Sequence, residues 1–267
     1  MLKNITLGQF FPGNSVLHRL DPRSKLIITL IYIVALFLCV NFYGYALIAA
    51  CAVAALIAGR LKPRLIFNGL KPLVFVIVLT AFLNLFYSQS GTILFSWWRL
   101  TITDTGIFNA LTMLARIILL ICGTMLMTYT TSPLALTDAL ESLLKPLNKI
   151  RFPVHELAMM MSIALRFIPT LIEETDKIMT AQKARGADFE TGSLFKRAKA
   201  LLPLLVPLFV SAFRRADELA IAMDARCYNG GTGRTRMKQL RYTALDVKAF
   251  ALTAVLLAAV IALRVFI

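Results

Sequence analysis

"LIITLIYIVALFLCVNFYGYALIAACAVAALIAG" occupies residues 26–59 and contains no charged side chain. As one α-helix it would run for about 50 Å, far beyond a hydrocarbon core of about 30 Å. A single span of that length would need extreme tilt. The stretch therefore predicts two membrane-crossing helices, near 26–42 and 43–59. They fold back at "NFYGY" (41–45), where Asn41 and Gly44 suit a turn and Tyr43 and Tyr45 suit the membrane–water interface.

The rest of the chain agrees with that class. Of 267 residues, 58% are hydrophobic and 16% charged, and the mean hydropathy is +0.74, the profile of an all-α membrane protein. Apolar runs near 72–87, 107–129 and 247–267 predict three more spans, five in all. Lys248 and Arg264 can snorkel from the ends of the last. The polar stretch with Trp97, Trp98, Arg99 and Asp104 reads as an interfacial loop or short surface helix. Two other apolar runs, "LAMMMSIALRFIPTLI" (157–172) and "AKALLPLLVPLFVSAF" (198–213), are short. Arg166 and Pro169 interrupt the first, Pro203 and Pro207 the second, and basic residues flank the second on both sides. Both read as helices that do not cross, lying in or below the membrane surface.

The formal net charge of +15 is distributed by side. Lys3, Arg19, Arg23 and Lys25 precede span one; Arg60, Lys62, Arg64 and Lys71 lie between spans two and three; eighteen Lys or Arg fall from Thr131 to Lys248. Because basic residues alternate with apolar runs, this excess marks the cytoplasmic face and not a nucleic-acid surface. The expected organisation is a membrane domain at 1–130, a cytoplasmic helical domain at 131–245 and a C-terminal transmembrane helix at 246–267. The N-terminus would be inside, without a cleavable signal peptide, and the C-terminus outside.

Catalytic and metal chemistry find little support. Cys39, Cys51, Cys122 and Cys227 form no Cys-x-x-Cys pair, and His18 and His155 lack ligand spacing. "GGTGRTR" (230–236) lacks the Gly-x4-Gly-Lys-Ser/Thr pattern and follows a helix instead of a strand. No catalytic, cofactor or metal residue is assigned. Arg116 falls near the middle of span four, where an ionisable group is a functional candidate, with Asn84 or backbone carbonyls as contacts. It leaves open an autonomous ion channel or secondary transporter. A lone cation without an acid makes a poor proton relay, which favours a hydrogen-bonding post between helices.

The 131–245 region carries the motifs. Thr131-Ser132-Pro133 starts an amphipathic helix that Pro146 bends or ends. A second helix is expected over about 154–185 with Gly186 as its C-terminal glycine, and a third over about 194–228 stopping at Asn229, Gly230 and Gly231. Both end in related stretches, "AQKARG" (181–186) and "AMDARC" (222–227). Either arginine alone suits a helix C-terminus, a contribution of about 0.3–1 kcal/mol. Two such tips favour recognition, because Arg makes fixed bidentate contacts with carboxylates or carbonyls on a partner.

With "HRLDPRSKL" (18–26), "LRFIP" (165–169) and the paired Ala-Arg stretches, the chain resembles the transmembrane T component of energy-coupling factor transporters, the EcfT/CbiQ family, over about residues 8–241. "GQFFPGNS" and "ARCYNGGTGRT" are most similar to T components shared among several substrate-binding partners. The resemblance implies a non-catalytic subunit in which Ala184, Arg185, Gly186 and Ala225, Arg226, Cys227 are the coupling motifs. Arg185 and Arg226 would dock into two cytoplasmic ABC ATPases, which bind the ATP. Apolar faces of the same helices would hold a membrane-embedded S component that delivers a vitamin or transition-metal ion. Met159, Met160, Met161 and Met179 suit an adaptable partner surface as well as plain packing. The second motif departs from the family pattern, with Cys227 in place of glycine.

Overall fold

The computed structural model describes residues 10–87, 93–97, 100–189, 193–230 and 239–266. Lys3, Trp98, Arg99 and most of the glycine-rich 230–236 segment therefore lie outside the described residues. The chain divides into two compact units, Gly8–Ala139 with Gln239–Ile267, and Leu140–Lys238.

The first unit is built on α1 (Val16–Arg19), α2 (Pro22–Leu38), α3 (Phe42–Gly59), α4 (Pro63–Leu70), α5 (Val74–Tyr87), α6 (Asp104–Thr130) and α10 (Ala244–Phe266). The opening stretch does fold back, but at Cys39–Asn41, earlier than the expected 41–45 turn. Gly44 and Tyr45 lie in the first turn of α3 because that turn must pass close to the end of α2. A Cβ on Gly44 would collide with Cys39 Sγ. Tyr45 is 4% exposed and donates its hydroxyl to Cys39 O at 3.2 Å, so it closes the turn from within instead of facing the interface. The core joins α2, α3, α6 and α10 through Leu36, Ile48, Leu119, Leu256 and Val260.

The expected interfacial loop or short surface helix around Trp97 and Asp104 is not what the described residues form. Instead, β1 (Ile93–Trp97) and β2 (Leu100–Thr103) form an antiparallel hairpin, pairing Trp97 with Leu100 and Ile93 with Thr103. β-Branched and aromatic residues in "ILFSW" and "LTIT" favour extended backbone, and Thr103 then caps α6 through Gly106 N–H.

Among the described residues, five helical segments are long and apolar enough to cross a membrane: Phe42–Gly59, Pro63–Phe86, Asp104–Thr130, Val154–Ala184 and Ala244–Phe266. The number matches expectation and the membership differs. α2 has 17 residues, at the short end for a span, while Val154–Ala184 is 31 residues long. The third segment starts upstream of 72, since α4 and a 3-10 turn at Lys71–Leu73 run into α5.

Polar contacts set the relative directions of α2, α6 and α10. Lys25 Nζ donates to Thr130 O at 2.7 Å, tying the start of α2 to the last turn of α6, where a cation suits the exposed carbonyls. Asp21 N–H donates to Asp246 Oδ1 at 2.9 Å, so the N-termini of α2 and α10 adjoin. At the opposite end Asn41 Nδ2 donates to Leu263 O at 3.0 Å. α2 and α10 therefore run together, antiparallel to α6.

The second unit contains α8 (Val154–Ala184) and α9 (Leu194–Asp224), which pack on each other. They are preceded by α7 (Pro133–Leu144), which Ser132 caps through Ala135 N–H, and a 3-10 turn at Lys145–Ile150 where Pro146 ends the regular helix. α9 is shorter than expected, stopping at Asp224 with a turn over 225–227.

Candidate functional site

The two related stretches form the same backbone device. At the end of α8, Gly186 N–H donates to Lys183 O at 3.0 Å and Ala187 N–H to Gln182 O at 3.0 Å, a Schellman closure with Gly186 at φ +89°. At the end of α9, Cys227 N–H donates to Asp224 O at 2.9 Å and Tyr228 N–H to Met223 O at 3.1 Å. Cys227 takes the left-handed conformation there, φ +53°. Arg185 and Arg226 are thus equivalent, each on the residue before the positive-φ position.

Gly186 is required by backbone conformation and not by crowding, since a Cβ there would meet nothing within 4 Å. Cys227 accepts the same conformation at a cost of about 1 kcal/mol. Cys227→Gly is therefore expected to slow hydrogen exchange at the Tyr228 amide about fivefold, and Gly186→Val to speed it at Ala187. Equal exchange in parent and variants would show that neither tip holds this closure.

All six motif residues are exposed, and among the described residues no hydrogen bond or ion pair involves either guanidinium. The tips are offered to solvent as ready-made bidentate donors.

α8 and α9 also correspond along their length. Shifting α8 by the 185-to-226 offset places Asp176 on Asp217, Ala181 on Ala222 and Ala184 on Ala225. The same shift places Glu174 on Arg215, and these two side chains form an ion pair of 2.6 Å. Upstream of it lie the apolar halves, with Met160, Met161, Val206, Phe209 and Phe213 all exposed.

Arg116 is not brought to Asn84, whose Nδ2 donates to Thr80 O within its own helix at 2.9 Å. The guanidinium instead donates to Tyr45 Oη at 2.6 Å and to Cys39 O at 3.4 Å, the carbonyl that caps α2. A cation at a helix C-terminus suits the partial negative charge of its last carbonyls, and these bonds place Arg116 as a post at the α2–α3 turn. Tyr45→Phe is expected to lower stability by about 2 kcal/mol, read as a drop in thermal midpoint of the purified chain. An unchanged midpoint would remove that role.

The "HRLDPRSKL" stretch is a latch. Ser15 caps α1, and His18 bridges Ser15 Oγ at 2.6 Å and Phe11 O at 2.9 Å. Asp21 caps α2 and pairs with Arg23 at 3.1 Å, while Arg23 stacks on Tyr242 at 4.2 Å. Asp246 completes it, fully buried and accepting from Asp21 N, Thr243 N and Thr243 Oγ1. Asp246 stands out in neither composition nor motif; its available signal is Thr243-x-x-Asp246 ahead of an apolar run, a capping-box spacing. His155 lies elsewhere, its Nδ1 bonded to Glu141 Oε1 at 3.0 Å.

Comparison with known proteins concerns nearly the whole chain. A family model described as cobalt transport protein, CbiQ, matches residues 13–238. The chain is 51% identical over 261 residues to the energy-coupling factor transporter transmembrane protein EcfT of Ruminiclostridium cellulolyticum, covering 98% of this chain and 97% of that protein. It is 55% identical over 255 residues to the same-named protein of Thermosediminibacter oceani, with 96% of each covered. The Bacillus subtilis protein of that name is 44% identical over 264 residues, covering 99% of this chain and 100% of its own length. The chain belongs to the EcfT/CbiQ family, the transmembrane components of energy-coupling factor transporters.

Proposed function

We propose that this chain is the non-catalytic coupling subunit of an ATP-driven importer of a vitamin or transition-metal ion. Arg185 and Arg226 each dock on one of two cytoplasmic ABC ATPases, which bind the ATP. The apolar halves of α8 and α9 hold a membrane-embedded S component. The single observation that carries this reading is the matched pair of exposed arginines, without a bonded partner among the described residues, on helix closures of the same type. Recognition of one partner surface twice explains why a cysteine is kept in a left-handed conformation to reproduce the glycine geometry.

Parity supports the cytoplasmic assignment. Thr130 and Asp246 lie at the same end of the first unit, tied there through Lys25 and Asp21, so the intervening chain must cross the membrane an even number of times or not at all. Within it only α8 is long and apolar enough among the described residues, and one crossing is not even. Residues 131–245 therefore fit one side, with α2, α3, α4–α5, α6 and α10 as the five crossings. The eighteen basic residues from Thr131 to Lys248 favour the cytoplasm as that side, which would put the N-terminus inside and the C-terminus outside.

Isolation from native membranes under mild detergent, followed by identification of the bound chains, tests the reading. Two ABC ATPases and a small substrate-binding membrane protein are expected. Recovery of a chain that transports alone in vesicles would favour the autonomous transporter instead. The placement of Arg116 argues against that rival, because its Nε and Nη2 donate to a hydroxyl and a helix carbonyl and no acid is paired with it among the described residues.

A further inference from the structure

We propose that Glu174 and Arg215 form the fulcrum about which the two coupling helices turn; the inference rests on the coupling function proposed above. Each residue lies eleven positions before its tip arginine, 174 before 185 and 215 before 226, and each is bonded to the other at 2.6 Å. Where two equivalent helices cross about a two-fold axis, a residue meets its own counterpart only at the axis. The 2.6 Å contact between counterparts is what such a crossing point would show.

Charge supplies the second observation. A faithful repeat would bring two like charges together at the axis, which is unfavourable. Here the helices are opposite in sign at this point, with Glu173 and Glu174 on α8 corresponding to Arg214 and Arg215 on α9, although Asp176 and Asp217 two positions later are identical. The side chains of Glu174 and Arg215 are 28% and 32% exposed, so the pair adds little to global stability. Its directional bond is suited instead to holding one point of contact while the arms rotate.

The geometry makes this a lever with unequal arms. From the pair to either tip is about 16 Å of helix, and from the pair back to the start of α8 or α9 is about 30 Å. For straight arms a displacement of the tips is enlarged about twofold at the apolar ends, and bends at Pro169, Pro203 and Pro207 reduce that factor. Glu174 and Arg215 are positioning residues that touch neither ATP nor transported substrate.

The test uses the reconstituted full complex with four versions of the chain: E174Q, E174R, R215E and the swap E174R/R215E. Substrate taken up per ATP hydrolysed is measured beside the ATPase content of each preparation. Each single reversal is expected to reduce uptake per ATP at least about tenfold with its ATPases retained, E174Q to give a smaller loss, and the swap to recover to within about threefold of the parent. Parental coupling in a single reversal would overturn the proposal, as would a swap that holds its ATPases without recovering. Loss of the ATPases from the single reversals would also overturn it, because the pair lies three helical turns from the docking tips. ATPase retention by the parent reads the underlying coupling function separately.

Discussion

Asp246→Ala is expected to destabilise the membrane unit by about 3–5 kcal/mol, among the largest effects of any single substitution in the chain. The carboxylate is 0% exposed and accepts from three donors at 2.7–2.9 Å, two of them backbone N–H groups at the starts of different helices. Removing it strands those donors away from water and leaves the buried Lys25 facing one acid fewer. It also unfastens α2 from α10, segments far apart in sequence whose N-terminal dipoles both favour a carboxylate. Asp246→Asn preserves the volume and part of the acceptor capacity and should lose about half as much. Thermal unfolding of the detergent-purified chain decides it. A midpoint within about 2 °C of the parent for Asp246→Ala would show that the latch is not what joins these helices.

Much of this architecture is legible in the sequence, for identifiable reasons. Length against bilayer thickness is a strong constraint, so the 26–59 stretch announces two helices even though their turn falls a few residues from where composition places it. The displacement comes from the close approach of Gly44 to Cys39, a tertiary contact with no local signature. The hairpin is harder to read because a short strand pair flanked by aromatic residues looks like interfacial loop, and only pairing distinguishes the two. Gly186 advertises its positive φ through residue type, whereas Cys227 does so only by analogy with the first copy. The partner of Arg116 is hidden in sequence because a hydroxyl and a backbone carbonyl replace the acid one would look for. Likewise "HRLDPRSKL" is recognisable as a motif, but its dependence on Asp246 emerges only when the two ends of the chain are seen together.

The second large effect concerns function instead of stability. Arg185→Glu with Arg226→Glu is expected to leave the fold intact at a cost of about 1 kcal/mol at each helix end, since both side chains are exposed and bond to no described residue. Docking should fail almost completely. An arginine at the centre of an interface commonly contributes 2 kcal/mol or more, so two reversals should weaken association by about a thousandfold or more. Each charge reversal also adds repulsion against whatever acid or carbonyl the partner presents. Lysine at both positions should retain part of the affinity, because the charge persists while the bidentate geometry is lost.

The most direct test is co-purification of the ABC ATPases with parent and doubly reversed chains, with uptake measured in the same cells. The parent is expected to retain both ATPases and support uptake, while the doubly reversed chain, present in the membrane at normal amount, retains neither and supports none. Two ATPases still bound to the doubly reversed chain, with uptake intact, would contradict the account.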